Sequence, residues 1–404
     1  SAQRGSRPSV VAEIFDAEKT DVAINAYPAG EIDVIASDGF ISRLIAQNVR
    51  HRGLSYVYSE LLTHSRGNEI YVNRFPEWAG EPFGAFVDRF KEAILIGVVR
   101  PVENRFESHL NPPPDLLLEP DDRLVFLARA FEHTVPSIDG GTEYQRTAEA
   151  RLPEPTEPAT RRILIVGWSH KVAALVQEFA GYSSERFEID VLSRVEISRR
   201  TPAASDALAT DTNITLRQIF GDFTDRGTLA SMAPATYDNV VFLASDWLDT
   251  EEEADARTIL GYVLLRSLIS EEAGRPEVLI ELLDPENARL FRRRTGEVII
   301  SPKILSHILA HVALRRELCT VFTELFGPAG SEFYFRPASD YAPAGASVTA
   351  SDIQEAARRR GEIAIGLRIG AERDRFGGGV YLNPDPDRRW EMSSEDEIIV
   401  LAAG

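Results

Sequence analysis

"GEIDVIASDGFISRLIAQ", residues 30–47, returns in altered form as "GEVIISPKILSHILAH" at 296–311, and this pair decides how the chain is organised. The likeness extends in both directions. Residues 10–15 (VVAEIF) reappear as 278–283 (VLIELL), followed by Asp16 and Asp284 respectively. "SELLTHSRGNEIYV" at 59–72 answers to "TELFGPAGSEFYF" at 323–335, and "AILIGVVRP" at 93–101 to "EIAIGLRIG" at 362–370. "LNPPPD" at 110–115 pairs with "LNPDPD" at 382–387, and "DDRLVFLA" at 121–128 with "EDEIIVLA" at 395–402. Only the second copy is preceded by a further segment, residues 161–277, which opens with a strand–Gly–helix pattern. An ordered repeat of such long period marks duplicated domains rather than a short-period solenoid. The chain reads as one and a half copies of a two-lobed module, and the first half-lobe is expected upstream of Ser1.

The local pattern supports an α/β fold with a Rossmann-like parallel lobe, two small α+β lobes and crossover helices. An apolar run at 9–15 predicts a strand, with a short helix following through Tyr27 and a strand at 31–35. Ser37 and Asp38 are N-cap candidates for a helix that places Ile41, Leu44, Ile45 and Val49 on one face. A second helix is expected over 54–63, carrying Tyr58, Leu61 and Leu62. The counterpart in the second copy opens with Ser301-Pro302, a cap and a first-turn proline. It aligns Leu305, Ile308, Leu309 and Val312 and runs on toward Phe326. Faces this broad suit helices that cross over to a partner domain. Strands at 69–74, 94–100 and 123–128 and a short helix near 82–90 form the first small lobe, with a turn at Asn111-Pro112-Pro113-Pro114. Strands at 187–192, 215–220, 239–244 and 278–283 alternate with helices, notably 169–180 and 250–271, which predicts a parallel sheet with right-handed crossovers.

The expected boundaries are residues 1–66 for the end of the first Rossmann lobe with its crossover helices, and 67–132 for the first small lobe. The linker is 133–160, rich in Pro, Gly and Glu. The second Rossmann-like lobe covers 161–300, its crossover helices 301–326, and the second small lobe 327–404.

Composition excludes several functions. The chain has 404 residues, 44% of them hydrophobic, with 63 acidic against 44 basic residues and a formal charge of −19. A phosphate-binding surface needs positive potential, so nucleic acid and anionic membrane surfaces are poor partners. Cys319 is the single cysteine, which excludes an intrachain disulfide framework and fits a reducing compartment. No run of 18 apolar residues exists, so direct membrane insertion of this region is not expected.

"VGWSHK" at 166–171 stands where a dinucleotide fingerprint would lie. That fingerprint needs glycines so that the backbone can approach a pyrophosphate at a helix N-terminus. Only Gly167 remains, followed by Trp168 and Ser169, so the turn is degenerate and nucleotide is not expected there. The second strand ends in Leu192-Ser193-Arg194, where a ribose-binding acid would be wanted. Asp222 and Asp225 fall at the end of the third strand; Asp246, Asp249 and Glu251 follow the fourth. Clustered hard oxygens at the carboxyl ends of strands suit Ca²⁺ or Mg²⁺; the alternative is an acidic, dipole-favoured helix N-terminus. His307 and His311 lack the Glu of a zincin motif, and no G-x-S-x-G is present. Nothing supports covalent catalysis or an enzyme.

The order of Rossmann-like lobe, crossover helices and small lobe resembles the RCK domain (regulator of potassium conductance), also described as the TrkA N and C modules, and "FGDFTDRGTL" resembles the Trk-type third-strand motif. A closer resemblance is to the cytosolic part of CASTOR/POLLUX ion channels and their bacterial relatives. The residues that carry it are "ILIVGW" at 163–168, "RFPEWAGEPFGAF" at 74–86, "ELFGPAGSEFYFRPASDY" at 324–341, "RRRGEIAIGLR" at 358–368 and "WEMSSEDEIIVLA" at 390–402. The resemblance implies a tandem RCK gating-ring module on the cytoplasmic face of a membrane. It further implies a homo-oligomer formed through crossover helices, a pore domain upstream in the same protein, and a response to Ca²⁺. The alternative is a soluble Trk-type nucleotide-binding regulatory subunit of a potassium transporter, which would need an intact glycine-rich turn. An NAD-dependent oxidoreductase would also need convergent acid–base residues.

Overall fold

Runs of Val, Ile and Leu form the strands of this protein, and Gly, Pro and Asn turn the chain between them. The computed structural model describes residues 9–27, 32–62, 67–103, 105–137, 160–200, 213–269, 276–291, 296–326, 330–373, 375 and 377–403. β1 (Val10–Ile14) leads into α1 (Thr20–Ala26), β2 (Ile32–Ala36), α2 (Ser37–Arg50) and α3 (Leu54–Leu61). β3 (Glu69–Arg74), β4 (Ala93–Val102), β5 (Arg105–Leu110) and β6 (Arg123–Ala128) follow. Then come β7 (Thr160–Val166), α4 (Lys171–Ala180), β8 (Arg186–Ser193), β9 (Ile214–Phe220) and α5 (Arg226–Ser231). β10 (Asn239–Phe242), α6 (Glu251–Leu268), β11 (Glu277–Leu282) and β12 (Glu297–Ile300) complete that region. α7 (Ser301–Leu314) and α8 (Leu318–Leu325) precede β13 (Ser331–Pro337), β14 (Ser347–Thr349) and α9 (Ala350–Arg358). The chain closes with β15 (Ile363–Arg368), β16 (Val380–Leu382), β17 (Arg389–Glu391) and β18 (Glu397–Ala403).

Two compact units result, and each draws on both copies of the repeat. Residues 1–55 and 155–313 form the first, residues 56–154 and 314–404 the second. In the first unit a parallel sheet runs in the order β12-β11-β10-β7-β8-β9. Read from β7 outward, this is the doubly wound order, with its topological switch point between β7 and β10. Ile163, Leu164, Ile165 and Val166 are fully buried, as a strand covered on both faces requires. β1 and β2 form a separate parallel pair. Aligned on Ser37 and Ser301, their register of Val10 with Ile32 places Val278 opposite Gly296 in the second copy, which continues the pairing of Leu279 with Glu297.

α2 lies along α4. Its Ile41, Leu44, Ile45 and Val49 are no more than 1% exposed. Arg43 pairs with Glu178 at 2.8 Å, and Arg50 with Glu185 at 2.6 Å while its guanidinium lies 3.6 Å over the Tyr182 ring. Each fully buried aliphatic side chain contributes about 1.5–3 kcal/mol, so this seam ties first-copy residues to the second-copy lobe. On α7 Leu305 and Leu309, which match Ile41 and Ile45, are only half-buried, whereas Ile308, which matches Leu44, is fully buried.

The second unit holds the two small lobes. Their antiparallel sheets run β3-β6-β4-β5 and β13-β18-β15-β16, the same order in repeat terms. Both carry an irregularity at the same place, before Gly97 and before Gly366. A Cβ on Gly97 would stand 2.6 Å from His109 O, and one on Gly366 2.3 Å from Tyr381 O, which explains both glycines. Tyr58 of α3 packs edge-on to Phe326 at 5.0 Å and against Phe333 at 6.1 Å. α8 lies on β5.

The structure differs from the sequence expectations at particular points. The helix expected near 82–90 is a pair of 3-10 turns, Phe83–Ala85 and Val87–Arg89. Gly80, Phe83 and Gly84 instead donate to Leu118, Leu116 and Pro114, an extended pairing that competes with a helix. Ser37 and Asp38 do not cap α2: the helix begins at Ser37, whose hydroxyl donates to Ile14 O. The crossover helices expected over 301–326 are α7 and α8, separated around Arg315–Glu317. Most of the expected linker, residues 138–159, lies outside the described residues.

Candidate functional site

Open α/β sheets bind ligands in the crevice at the switch point, beyond the carboxyl ends of the strands. Here that crest is built from the segments after β7 and β10. Gly167 has φ +106°, and a Cβ there would meet Leu243 O at 2.4 Å, so glycine is demanded by backbone packing. Trp168 is buried, with the Arg200 guanidinium 5.4 Å from its ring. Arg200 is itself buried and donates to the carbonyls of Val191, Ser193, Val195 and Ile219 at 2.9–3.2 Å. Burial lowers its pKa from the ordinary value. Ser169 is fully buried, and its Oγ has no hydrogen-bond partner among the described residues.

At the start of α4 the crest is occupied by the protein's own carboxylates. The His170 N–H donates to Asp246 Oδ2 at 2.9 Å, and the His170 ring joins two acids, Nδ1 to Asp246 and Nε2 to Asp38 at 3.0 Å. Phe15 meets the ring edge-on at 6.2 Å. Hydrogen bonds to Asp246 and Asp38 raise the His170 pKa to about 10 against the opposing effect of burial, so the imidazolium is the stable form at neutral pH. Burial acts to raise the Asp246 pKa, but His170 and Lys171 outweigh it and hold it below the ordinary value. Beside this clamp, Lys171 Nζ meets Glu281 Oε1 at 2.6 Å, Ser301 Oγ donates to the same carboxylate, and the Ala244 N–H donates to Oε2 at 3.0 Å. Burial opposes the charge on Lys171, yet the contact with Glu281 raises its pKa overall. Ser42 of α2 donates to Lys171 O at 3.2 Å, a second link from α2 to this turn.

The carboxylates singled out in the sequence are distributed among separate partners. Asp222 accepts from the Thr224 N–H and hydroxyl at 2.9 and 2.7 Å and from Arg257 at 2.8 Å, with Arg194 at 3.5 Å. Burial would raise its pKa, but these donors keep it below the ordinary value. Asp225 caps α5, accepting from the Thr228 N–H at 2.7 Å and hydroxyl at 2.8 Å; these bonds lower its pKa. Asp249 and Glu251 are exposed beside the N-terminus of α6, which Thr250 caps through the Glu253 N–H. Among the described residues, no three His, Cys, Asp or Glu side chains gather into a group able to hold a metal ion.

Several residues of the crest escaped the sequence reading: Asp38 as an ion-pair partner, and Arg257, Glu281 and Arg200. Only the position of Glu281 on a buried strand, in the "VLIELL" run, signalled a charge needing a partner. A diphosphate at the start of α4 would find the His170 N–H taken by Asp246 and a carboxylate in its way. The crest offers a charge-assisted clamp between elements.

Comparison with known proteins places this geometry. Residues 38–140 match the family described as "Castor and Pollux, part of voltage-gated ion channel". The rice "Probable ion channel POLLUX" is 24% identical over 99% of this chain and 44% of its own length. The Lotus japonicus "Ion channel CASTOR" is 23% identical over 99% of this chain and 49% of its own length. The chain thus spans less than half the length of these relatives. Among solved structures, the human SLO3 gating ring aligns with a TM-score of 0.70 at 14% identity, covering 97% of this chain and 81% of that one. Among the described residues no helix is long and apolar enough to cross a membrane. Over nearly its whole length the chain is similar to CASTOR/POLLUX ion channels, and it shares the fold of the SLO3 gating ring.

Proposed function

We propose that this chain is the cytosolic gating module of a cation channel, converting effector binding into a change at a pore carried elsewhere in the same protein. The observation that supports this reading most is the clamp at the switch point. Asp38 of α2, from the first copy, and Asp246, after β10 of the second, share the single imidazolium of His170. An effector that favours one spacing of these elements biases whatever α2 is coupled to, and one with equal affinity for both states shifts nothing. The subunits assemble as a homo-oligomer through the crossover helices, so the bias reaches several copies together. A divalent cation is the effector proposed, acting around Asp222, Asp225, Asp246, Asp249 and Glu251. At Asp222 it must displace Arg257 and Arg194, so its binding is weak and competes with these ion pairs. Nucleotide is not proposed, because Asp246 holds the N–H that a phosphate would use.

The test is made on the full-length protein in planar bilayers, titrating Ca²⁺ on the face that carries this module. Open probability is expected to depend on Ca²⁺, and Asp38→Asn to shift the midpoint because the clamp then lacks one charge. Channel activity indifferent to Ca²⁺ removes the effector. A midpoint unchanged in Asp38→Asn removes the clamp as the coupling element.

A further inference from the structure

We propose that the open edge of β1 is the docking surface for a further strand–turn–helix segment of the same protein, and that Glu13 receives a lysine ammonium from it. The duplication supplies the template. Residues 10–15 correspond to 278–283, so Glu13 of β1 corresponds to Glu281 of β11, and Ser37 to Ser301.

β11 has a parallel neighbour on each edge, β10 and β12, and its Val278, Leu279, Ile280, Glu281 and Leu282 are all buried. Three groups meet the Glu281 carboxylate there. They are Lys171 at the head of α4, the Ala244 N–H just past β10, and the Ser301 hydroxyl.

β1 keeps one of these neighbours and lacks the other. It pairs with β2, and among the described residues no strand lies on its second edge. Val10, Val11, Ala12 and Ile14 are only half-buried, Phe15 is 67% exposed, and Glu13 is exposed. Among the described residues nothing bonds to the Glu13 carboxylate. Ser37 donates to Ile14 O at 3.2 Å instead, and Lys19 pairs with Asp16 at 3.5 Å.

Parallel strands are stable chiefly when covered on both faces, and an open apolar edge is a template for another strand. A strand seated on that edge buries Glu13 as β10 buries Glu281, and a buried carboxylate left without a partner is strongly destabilising. The occupant therefore has to bring a cation. The template makes it a lysine in the first turn of a helix, one strand further along the sheet, as Lys171 follows β7. The chain spans less than half the length of its curated relatives, which leaves polypeptide for such a segment.

The test is hydrogen–deuterium exchange over residues 9–15, compared between the full-length protein and this chain alone. Exchange is expected to be slower in the full-length protein, because the second row of β1 N–H groups is then bonded. Glu13→Lys should speed that exchange by ~100-fold in the full-length protein, since it buries two like charges in place of an ion pair. Glu13→Gln should act in the same direction and less. In this chain alone both variants should leave exchange unchanged, because position 13 meets water. Equal exchange at β1 in the two unaltered proteins overturns the docking surface. Protection that grows with the concentration of this chain alone assigns the edge to a second copy and overturns the segment. A protected β1 that is indifferent to both variants overturns the ammonium, as does an acceleration equally large in this chain alone or over β7.

Discussion

His170 is held between two carboxylates, and that arrangement makes stability depend on pH. The folded protein raises the pKa of this group from 6.5 to about 10 through Asp246 and Asp38. A raised cationic pKa means that the stabilisation is complete below about 6.5, the ordinary value, and is lost as pH rises toward 10. The depressed pKa of Asp246 acts at the other end, with its contribution present above the ordinary 3.8 and lost in acid. Melting temperature should therefore fall between pH 6.5 and 10 in the unaltered protein. His170→Gln should flatten that limb, since a neutral amide has nothing to titrate; parallel limbs in the two proteins would show that the clamp contributes nothing. The ring is about half exposed, so solvent screening makes the effect smaller than the pKa displacement alone suggests.

α2 and α7 are sequence equivalents that meet different surroundings. Leu44 and its equivalent Ile308 are both fully buried, but Ile41 and Ile45, buried where α2 lies along α4, have equivalents on α7, Leu305 and Leu309, that are only half-buried. Leu44→Ala should cost about 2–5 kcal/mol, because it removes buried methyl groups and leaves a cavity. Leu305→Ala should cost clearly less in the isolated chain, because part of that side chain already meets water. Denaturant midpoints with unchanged slopes would report the difference. Equal losses at the two positions would mean that their unequal burial does not govern the energetics.

The repeat is not folded copy by copy. The first unit takes β1, β2 and α2 from the first copy and the whole Rossmann-like lobe from the second, while both small lobes share the other unit. A molecule whose copies are interleaved in this way cannot release one copy without opening seams in both units. The homo-oligomer proposed above would set the half-covered face of α7 against further chains. Light scattering should show association in the unaltered protein, and Leu305→Asp should reduce the mass, because an unpaired charge is costly to bury at an interface. The same mass in both proteins would remove α7 from the contact.

The sequence by itself determined the duplication, the strand positions and the equivalence of the two small lobes. Their shared order follows from the alternation of apolar runs with the Gly and Asn-Pro punctuation, which acts locally. β3 and β6 fall where the apolar pattern placed them, at Glu69–Arg74 and Arg123–Ala128. Only the tertiary structure decided the partners of polar side chains. Ser37 and Asp38 have the composition of a helix cap, yet Ser37 bonds to Ile14 and Asp38 to His170, 132 positions away in the chain. Asp222 is also an ion-pair partner, because the fold brings Arg257 beside it. Helical and strand periodicity is set by backbone geometry within a few residues, so it is legible in one dimension. A hydrogen bond or ion pair depends on which distant groups the packed core brings within about 3 Å of one another, and that is settled only when the whole chain has folded.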